Sequence, residues 1–249
     1  MNMAKYRNNL PLHKTNQIFL SEGGQLTDFF FNEETKDIKI PECDIFFNLI
    51  KDEKVMKWSK NYNRKFMDLI LKENSGFGCI LTGFLTRKAR KDDVREHLGI
   101  VESEWIKMNT DYIQFLDDLR QEYEKSVPDC PPILINGVLL PQGGKGDTFS
   151  LTTKMTFKEA EEYHKYQINV LAEHTKVDFL LVGLVSYPEE AIAICNVAAK
   201  VKLPVVLSFT TEMDGCLISG ESVKVLYEKI TFNSNFYGSL SVRNKIINL

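Results

Sequence analysis

Several things are missing from this sequence, and each absence closes a class of function. No pair of cysteines stands in a Cys-x-x-Cys spacing. The five that occur, Cys43, Cys79, Cys130, Cys195 and Cys216, are odd in number and widely spread. Neither a disulfide framework nor a local zinc knuckle is supported, and reduced thiols in a cytoplasmic protein fit best. No apolar run approaches the roughly 20 residues that cross a bilayer, so no membrane partner is expected. The first ten residues are polar and basic and lack the apolar core of a signal peptide. There is no excess of one charge sign: the net charge is −3, which argues against a nucleic-acid partner. The basic cluster Arg87-Lys88-Ala89-Arg90-Lys91 runs straight into Asp92-Asp93 and reads as a solvated loop or helix start. The glycine-rich segment Gln142-Gly143-Gly144-Lys145-Gly146-Asp147 lacks the spacing of a phosphate-binding loop; a mobile loop at the open end of a sheet is the plainer reading. No low-complexity stretch or linker interrupts the chain, and residues 1–249 are read as a single domain.

What is present is an ordinary globular balance, 43% hydrophobic and 26% charged, ample for a buried core. Gln17-Ile18-Phe19-Leu20 is a short strand candidate ending in Ser21-Glu22-Gly23-Gly24, where paired glycines permit a tight turn. Residues 44–72 carry a helical apolar pattern, and residues 77–84 read as a buried strand. A helix is expected from about Glu102 to Lys125, with Trp105, Met108, Tyr112, Phe115, Leu116, Leu119 and Tyr123 on one face. Pro131-Pro132 ends that region and Ile133-Leu134-Ile135-Asn136-Gly137 begins a strand.

The final third alternates helix and strand most clearly. Thr156 and Glu159 form a capping box for a helix starting at Phe157; Ser186 and Glu189, with Pro188 in the first turn, repeat the pattern for the next helix. The runs 177–183 and 204–210 are continuously apolar, which predicts strands buried on both faces. Helices between such strands give parallel crossovers. About six strand–helix units favour an α/β fold of the (β/α)8 barrel type, incomplete at that count.

These residues resemble the homocysteine S-methyltransferase family. Ile18-Phe19-Leu20-Ser21-Glu22-Gly23-Gly24 is similar to the family's opening Asp-Gly-Gly segment, and Phe157 to Gln167 to its helix carrying Glu-Glu, Tyr/Phe-His and Gln. Val177-Asp178-Phe179-Leu180-Leu181, Pro188-Glu189-Glu190-Ala191, and Pro204 to Thr210 followed by Asp214-Gly215 and Ser219-Gly220 match the succeeding strand, helix and strand. The resemblance implies a barrel with its site at the C-terminal strand ends and transfer of a methyl group, from a sulfonium or betaine-type donor, to the homocysteine thiol. It also implies zinc held by three cysteines, one after strand six and two in a Gly-Gly-Cys-Cys segment after strand eight. Zinc would convert a largely protonated thiol into a thiolate nucleophile.

The sequence departs from that pattern. Ser234 stands at the approximate position of the first zinc cysteine, and a neutral hydroxyl is a poor zinc ligand. The Gly-Gly-Cys-Cys segment does not occur before Leu249. Gly183 stands where the family places an acid that holds the substrate ammonium group. The expectation is therefore no catalytic residues, no metal site and no cofactor: an inactive relative that binds a small molecule such as a thiol amino acid. Glu22, Gly23, Gly24, Asn136 and Gly183 are the candidate substrate-binding residues. His164 and Cys195 read as helix packing residues, and Cys216, beside an Asp-Gly turn, as the thiol best placed for chemistry. Two other readings stand beside this one. One is an active zinc enzyme with ligands rearranged or supplied by another chain; the other is a non-enzymatic interaction scaffold. An incomplete barrel also exposes strand edges, which predicts self-association or a covering segment.

Overall fold

Apolar runs bounded by proline, glycine and capping residues become the strands and helices. A computed structural model describes residues 4–13, 18–22, 24–38, 52–72, 77–83, 101–141, 154–233, 238–242 and 245–246. They group into two compact units, the first from Met1–Thr86, Val101–Gly137 and Thr175–Asp178, the second including Val138–His174 and Phe179–Leu249.

In the first unit β1 (Phe19–Ser21), β2 (Gly78–Gly83) and β3 (Ile133–Leu139, to Gly137) are parallel neighbours in chain order. The register pairs Ser21 with Ile80 and Thr82 with Asn136. Helices α1 (Gln25–Phe31), α2 (Glu53–Met67) and α3 (Glu102–Ser126) belong to the same unit. Asp52 starts α2 by accepting the amides of Lys54 and Val55 at 2.8 and 3.2 Å. Val55, Trp58, Ser59, Asn63 and Met67 form its buried stripe. The α2 helix widens into a π-helical turn at Asp68–Lys72. The α3 face is as expected except that Phe115 is only half-buried; Ile113 is buried instead. An added Cβ at Gly83 would sit 2.4 Å from Ile113 Cδ1, so the Gly83 face of β2 lies against α3.

A buried polar cluster ties the N-terminal segment down. Asp178, fully buried, accepts from Arg120 Nη1 at 2.8 Å and from the amides of Ile135 and Tyr6 at 2.9 and 2.8 Å. Arg7 donates to the carbonyls of Thr175 and Val177. Lys176 and Arg120 both bond Asp117. The aspartate of the Val177-Asp178 run is thus a packing element just ahead of a strand.

The second unit runs α4 (Phe157–His174), β4 (Phe179–Val185), α5 (Pro188–Lys200), β5 (Val205–Phe209), α6 (Val223–Asn233) and β6 (Gly238–Val242). β4, β5 and β6 are parallel neighbours, and the short β7 (Lys245–Ile246) pairs antiparallel with β6. The first capping box forms: Glu159 accepts from the Thr156 amide at 2.8 Å, and Thr156 Oγ1 accepts from the Glu159 amide at 3.3 Å. The second does not. Pro188 makes Tyr187 the capping residue, and Ser186 Oγ instead donates to the Leu184 carbonyl. β4 begins two residues later than the apolar run predicts, because Asp178 is held in the cluster above. The expectation of strands buried on both faces also needs correcting. β5 alternates, with Val205, Leu207 and Phe209 buried but Val206 and Ser208 half-buried. One face packs on helices and the other is partly open. The α5 helix is buried nearly all round, Cys195 included.

Candidate functional site

The end of β1 delivers Glu22. Its amide still bonds the Ile80 carbonyl at 3.4 Å, which keeps the residue at the strand end before α1 begins. Gly24 follows at φ 140°, a conformation that L side chains avoid; the turn requires glycine for its backbone. Gly23 lies outside the described residues.

Glu22 is 8% exposed. Its Oε2 accepts from the amides of Gly24 and Gln25, each at 3.2 Å, and from the Tyr62 hydroxyl at 2.8 Å. Around this point Gln25 donates to Ser59 Oγ at 2.9 Å and accepts from the Tyr112 hydroxyl at 3.4 Å. Burial, then the charge of Glu22, pushes the Tyr62 phenol up, and burial pushes Tyr112 up to about 12. Both phenols keep their protons at neutral pH and serve as donors. Among the described residues no lysine, arginine or histidine pairs with Glu22. The arrangement is a nearly buried carboxylate satisfied by dipoles on one oxygen and lacking a counter-charge. Such a site favours a cation brought by a ligand.

Asn136 is fully buried on β3, level with Thr82 and on the sheet face opposite Gly83. Neither its Oδ1 nor its Nδ2 finds a hydrogen-bond partner. That is a costly state for an amide, about 1–3 kcal/mol per unmade bond, and it marks the residue as held for something other than packing. Glu22 and Asn136 belong to strands two apart, about 10 Å by ordinary strand spacing, and do not bond each other.

Gly183 sits in the second unit, half-buried, where an added Cβ would meet only Leu140 Cδ2 at 3.6 Å. Neither space nor backbone demands glycine there. Its neighbour Leu184 has φ 62°, unusual for a branched side chain, within the register irregularity between Val182 and Val185. Nothing in the sequence signals that strain. Ser234 lies outside the described residues.

The cysteines do not present a thiolate set. Cys79 and Cys195 are buried, and burial pushes Cys195 up to about 12 and Cys79 higher still. Cys79 alternates with Ile80 and Thr82 and so lies on the α3 side of β2, with Leu81 and Gly83. Cys216 occupies a turn, its amide bonding Asp214 Oδ1 at 2.8 Å. All four described cysteines are free, and Cys43 lies outside the described residues. Among the described residues no group of three or more His, Cys, Asp or Glu could hold a metal ion. His164 is buried and bonds Glu190 at 2.8 Å, joining α4 to α5 as a packing pair.

The homocysteine S-methyltransferase family profile matches residues 80–240, well over half of the chain. The chain belongs to the homocysteine S-methyltransferase family. Similar solved structures are those of the homocysteine methyltransferase MmuM from Escherichia coli. The metallated form is 13% identical with a TM-score of 0.70, covering 92% of this chain and 75% of that one. The oxidised form is 14% identical with the same TM-score, covering 92% and 74%. At such identity the likeness establishes the fold: α/β, of the (β/α)8 barrel type and incomplete. Among curated protein sequences none matches this homocysteine S-methyltransferase relative significantly. No helix among the described residues is long and apolar enough to cross a membrane.

The sequence nominates Glu22, Gly24 and Asn136 but gives no sign of Tyr62, whose hydroxyl bonds Glu22. The phenol lies 40 residues from Glu22 on a helix whose pattern reads only as an amphipathic stripe.

Proposed function

We propose that this family member binds a small thiol amino acid of the homocysteine type and does so without zinc-dependent methyl transfer. The observation that carries the reading is Glu22: a residue 8% exposed at the end of β1, its carboxylate with three donors on one oxygen and no cationic partner among the described residues. A ligand ammonium group supplies the missing charge. Asn136 offers two further donors and one acceptor on β3, suited to a ligand carboxylate or amide. Gly183, in the second unit, is a candidate that carries no charge. Gly24 shapes the turn that presents Glu22, and Gly23 is the remaining candidate of that segment.

Methyl transfer to a thiol requires a thiolate at neutral pH, and zinc coordination is the family's means to it. The buried thiols of Cys79 and Cys195, pushed up by desolvation, are poor metal ligands. The protein is accordingly read as a cytoplasmic pseudoenzyme with no resident cofactor. Calorimetric titration with L-homocysteine tests this. Metal-stripped protein is expected to bind, and Glu22→Gln to weaken binding at least about tenfold, roughly 1.4 kcal/mol. Equal affinity in the variant would remove Glu22 from the site.

Family membership favours a second reading, an active zinc-dependent thiol methyltransferase whose ligands are rearranged or come from another chain. Its mark would be stoichiometric zinc together with methylation of homocysteine.

A further inference from the structure

We propose that Tyr62 is a positioning residue for the ligand site: it locks Oε2 of Glu22 so that Oε1 alone faces the ligand's cation, and the site thereby accepts a compact primary ammonium group. This rests on the reading of Glu22 as the ammonium anchor.

A carboxylate can accept on either oxygen, and a glutamate's terminal torsion is broad and nearly two-fold, so its two oxygens exchange roles unless something distinguishes them. Here every hydrogen bond that the Glu22 side chain makes among the described residues ends on Oε2. Two come from amides that any turn of this shape would supply. The third and shortest, at 2.8 Å, comes from Tyr62, and it is the one that depends on a particular side chain. Oε1 accepts none and is not sealed from solvent.

Tyr62 is itself held. It packs against Trp58, ring centroids 5.9 Å apart, one turn earlier on α2. Trp58 Nε1 donates to Asp28 Oδ2 at 2.8 Å and its ring meets Phe29 edge-on at 5.0 Å. Side chains of α1 and α2 thus fix the phenol's direction. Its raised titration keeps it a donor across the neutral range. The extra methylene of glutamate over aspartate is what lets the carboxylate reach both the α1 amides and the phenol.

A single free oxygen suits a point-like ammonium, which makes one strong charge-assisted bond. It does not suit a guanidinium, whose fork needs both carboxylate oxygens.

The test compares L-homocysteine with 4-mercaptobutanoic acid, which keeps thiol and carboxylate but lacks the ammonium. Calorimetry uses the wild type, Tyr62→Phe, Glu22→Gln and the double variant, with circular dichroism confirming the fold of each. The wild type is expected to prefer homocysteine by tenfold or more. Tyr62→Phe is expected to weaken homocysteine about tenfold and leave 4-mercaptobutanoate unchanged; the double variant should match Glu22→Gln alone. Full preference retained in Tyr62→Phe while Glu22→Gln loses it overturns the role of Tyr62 and leaves Glu22 standing. Equal weakening of both ligands makes Tyr62 merely structural and also overturns it. No preference in the wild type overturns the Glu22 reading and this inference with it. If Tyr62→Phe does not fold, Glu22→Asp serves: it draws the carboxylate away from an intact Tyr62, and full preference retained there overturns the proposal.

Discussion

Asp178 is where the buried polar chemistry of the first unit converges, and it is the residue whose loss should be felt most. Replacing it with alanine takes the acceptor from Arg120 Nη1 and from the amides of Tyr6 and Ile135, while Asp117 still holds the other side of the guanidinium. Breaking such a buried pair costs about 3–5 kcal/mol, so the urea midpoint of Asp178→Ala should fall sharply. Asp178→Asn keeps the shape and one acceptor and should cost less. A shift below about 1 kcal/mol for the alanine variant would mean that the cluster contributes little. The two aspartates respond to pH in opposite senses. Burial, the larger influence, pushes Asp178 up despite Arg120 and the two amides, so its ionised form weighs against folding as pH rises past the ordinary carboxylate value. Burial also opposes ionisation of Asp117, but Lys176 and Arg120 outweigh it and hold its carboxyl down. Its contribution is full above the unfolded value of about 3.9 and is lost as pH falls through the lower folded one. The stability gap between wild type and Lys176→Met should therefore narrow between about pH 5 and pH 2. A gap independent of pH in denaturant melts would contradict this.

At the scale of elements, two capping signatures that look alike in sequence turn out to be different. Thr156 and Glu159 complete their box, and Thr156→Ala should cost about 1 kcal/mol. Ser186 caps nothing, and Ser186→Ala should stay within about 0.5 kcal/mol. Equal losses in thermal melts would mean that the Tyr187 cap is misassigned. The strand glycines divide in the same way. At Gly83 an added methyl would meet Ile113 Cδ1 at 2.4 Å and the Asn136 carbonyl at 2.5 Å, and backbone cannot yield, so Gly83→Ala should cost about 1–3 kcal/mol or more. Gly183→Ala meets only an ordinary 3.6 Å contact and should be nearly neutral. Such elements were legible where the signal is local. Proline and capping residues bound the helices, apolar runs mark β2 to β5, and the motif order of the last third carries the family. What escaped was non-local. Tyr62 reaches Glu22 across 40 residues, and Arg120 reaches Asp178 across 58. His164 meets Glu190 across 26. Period and propensity carry no information about such pairings. The second capping box failed for a local reason, because Pro188 moves the helix start one residue past Ser186.

At the scale of the whole molecule, the chain keeps the strand-and-helix order of the homocysteine S-methyltransferase family. Of its described thiols, Cys79 and Cys195 are buried, Cys130 is half-buried beside Pro131, and Cys216 follows an Asp-Gly turn. Two features bear on the proposed recognition role: an acid at the end of β1 with no cationic partner among the described residues, and an amide on β3 with no hydrogen-bond partner among them. Calorimetric titration of L-homocysteine into the protein before and after exhaustive chelation weighs this account most directly. The account predicts the same affinity in both samples, with no stoichiometric zinc lost on chelation. Binding that vanishes on chelation and returns with added zinc would contradict it.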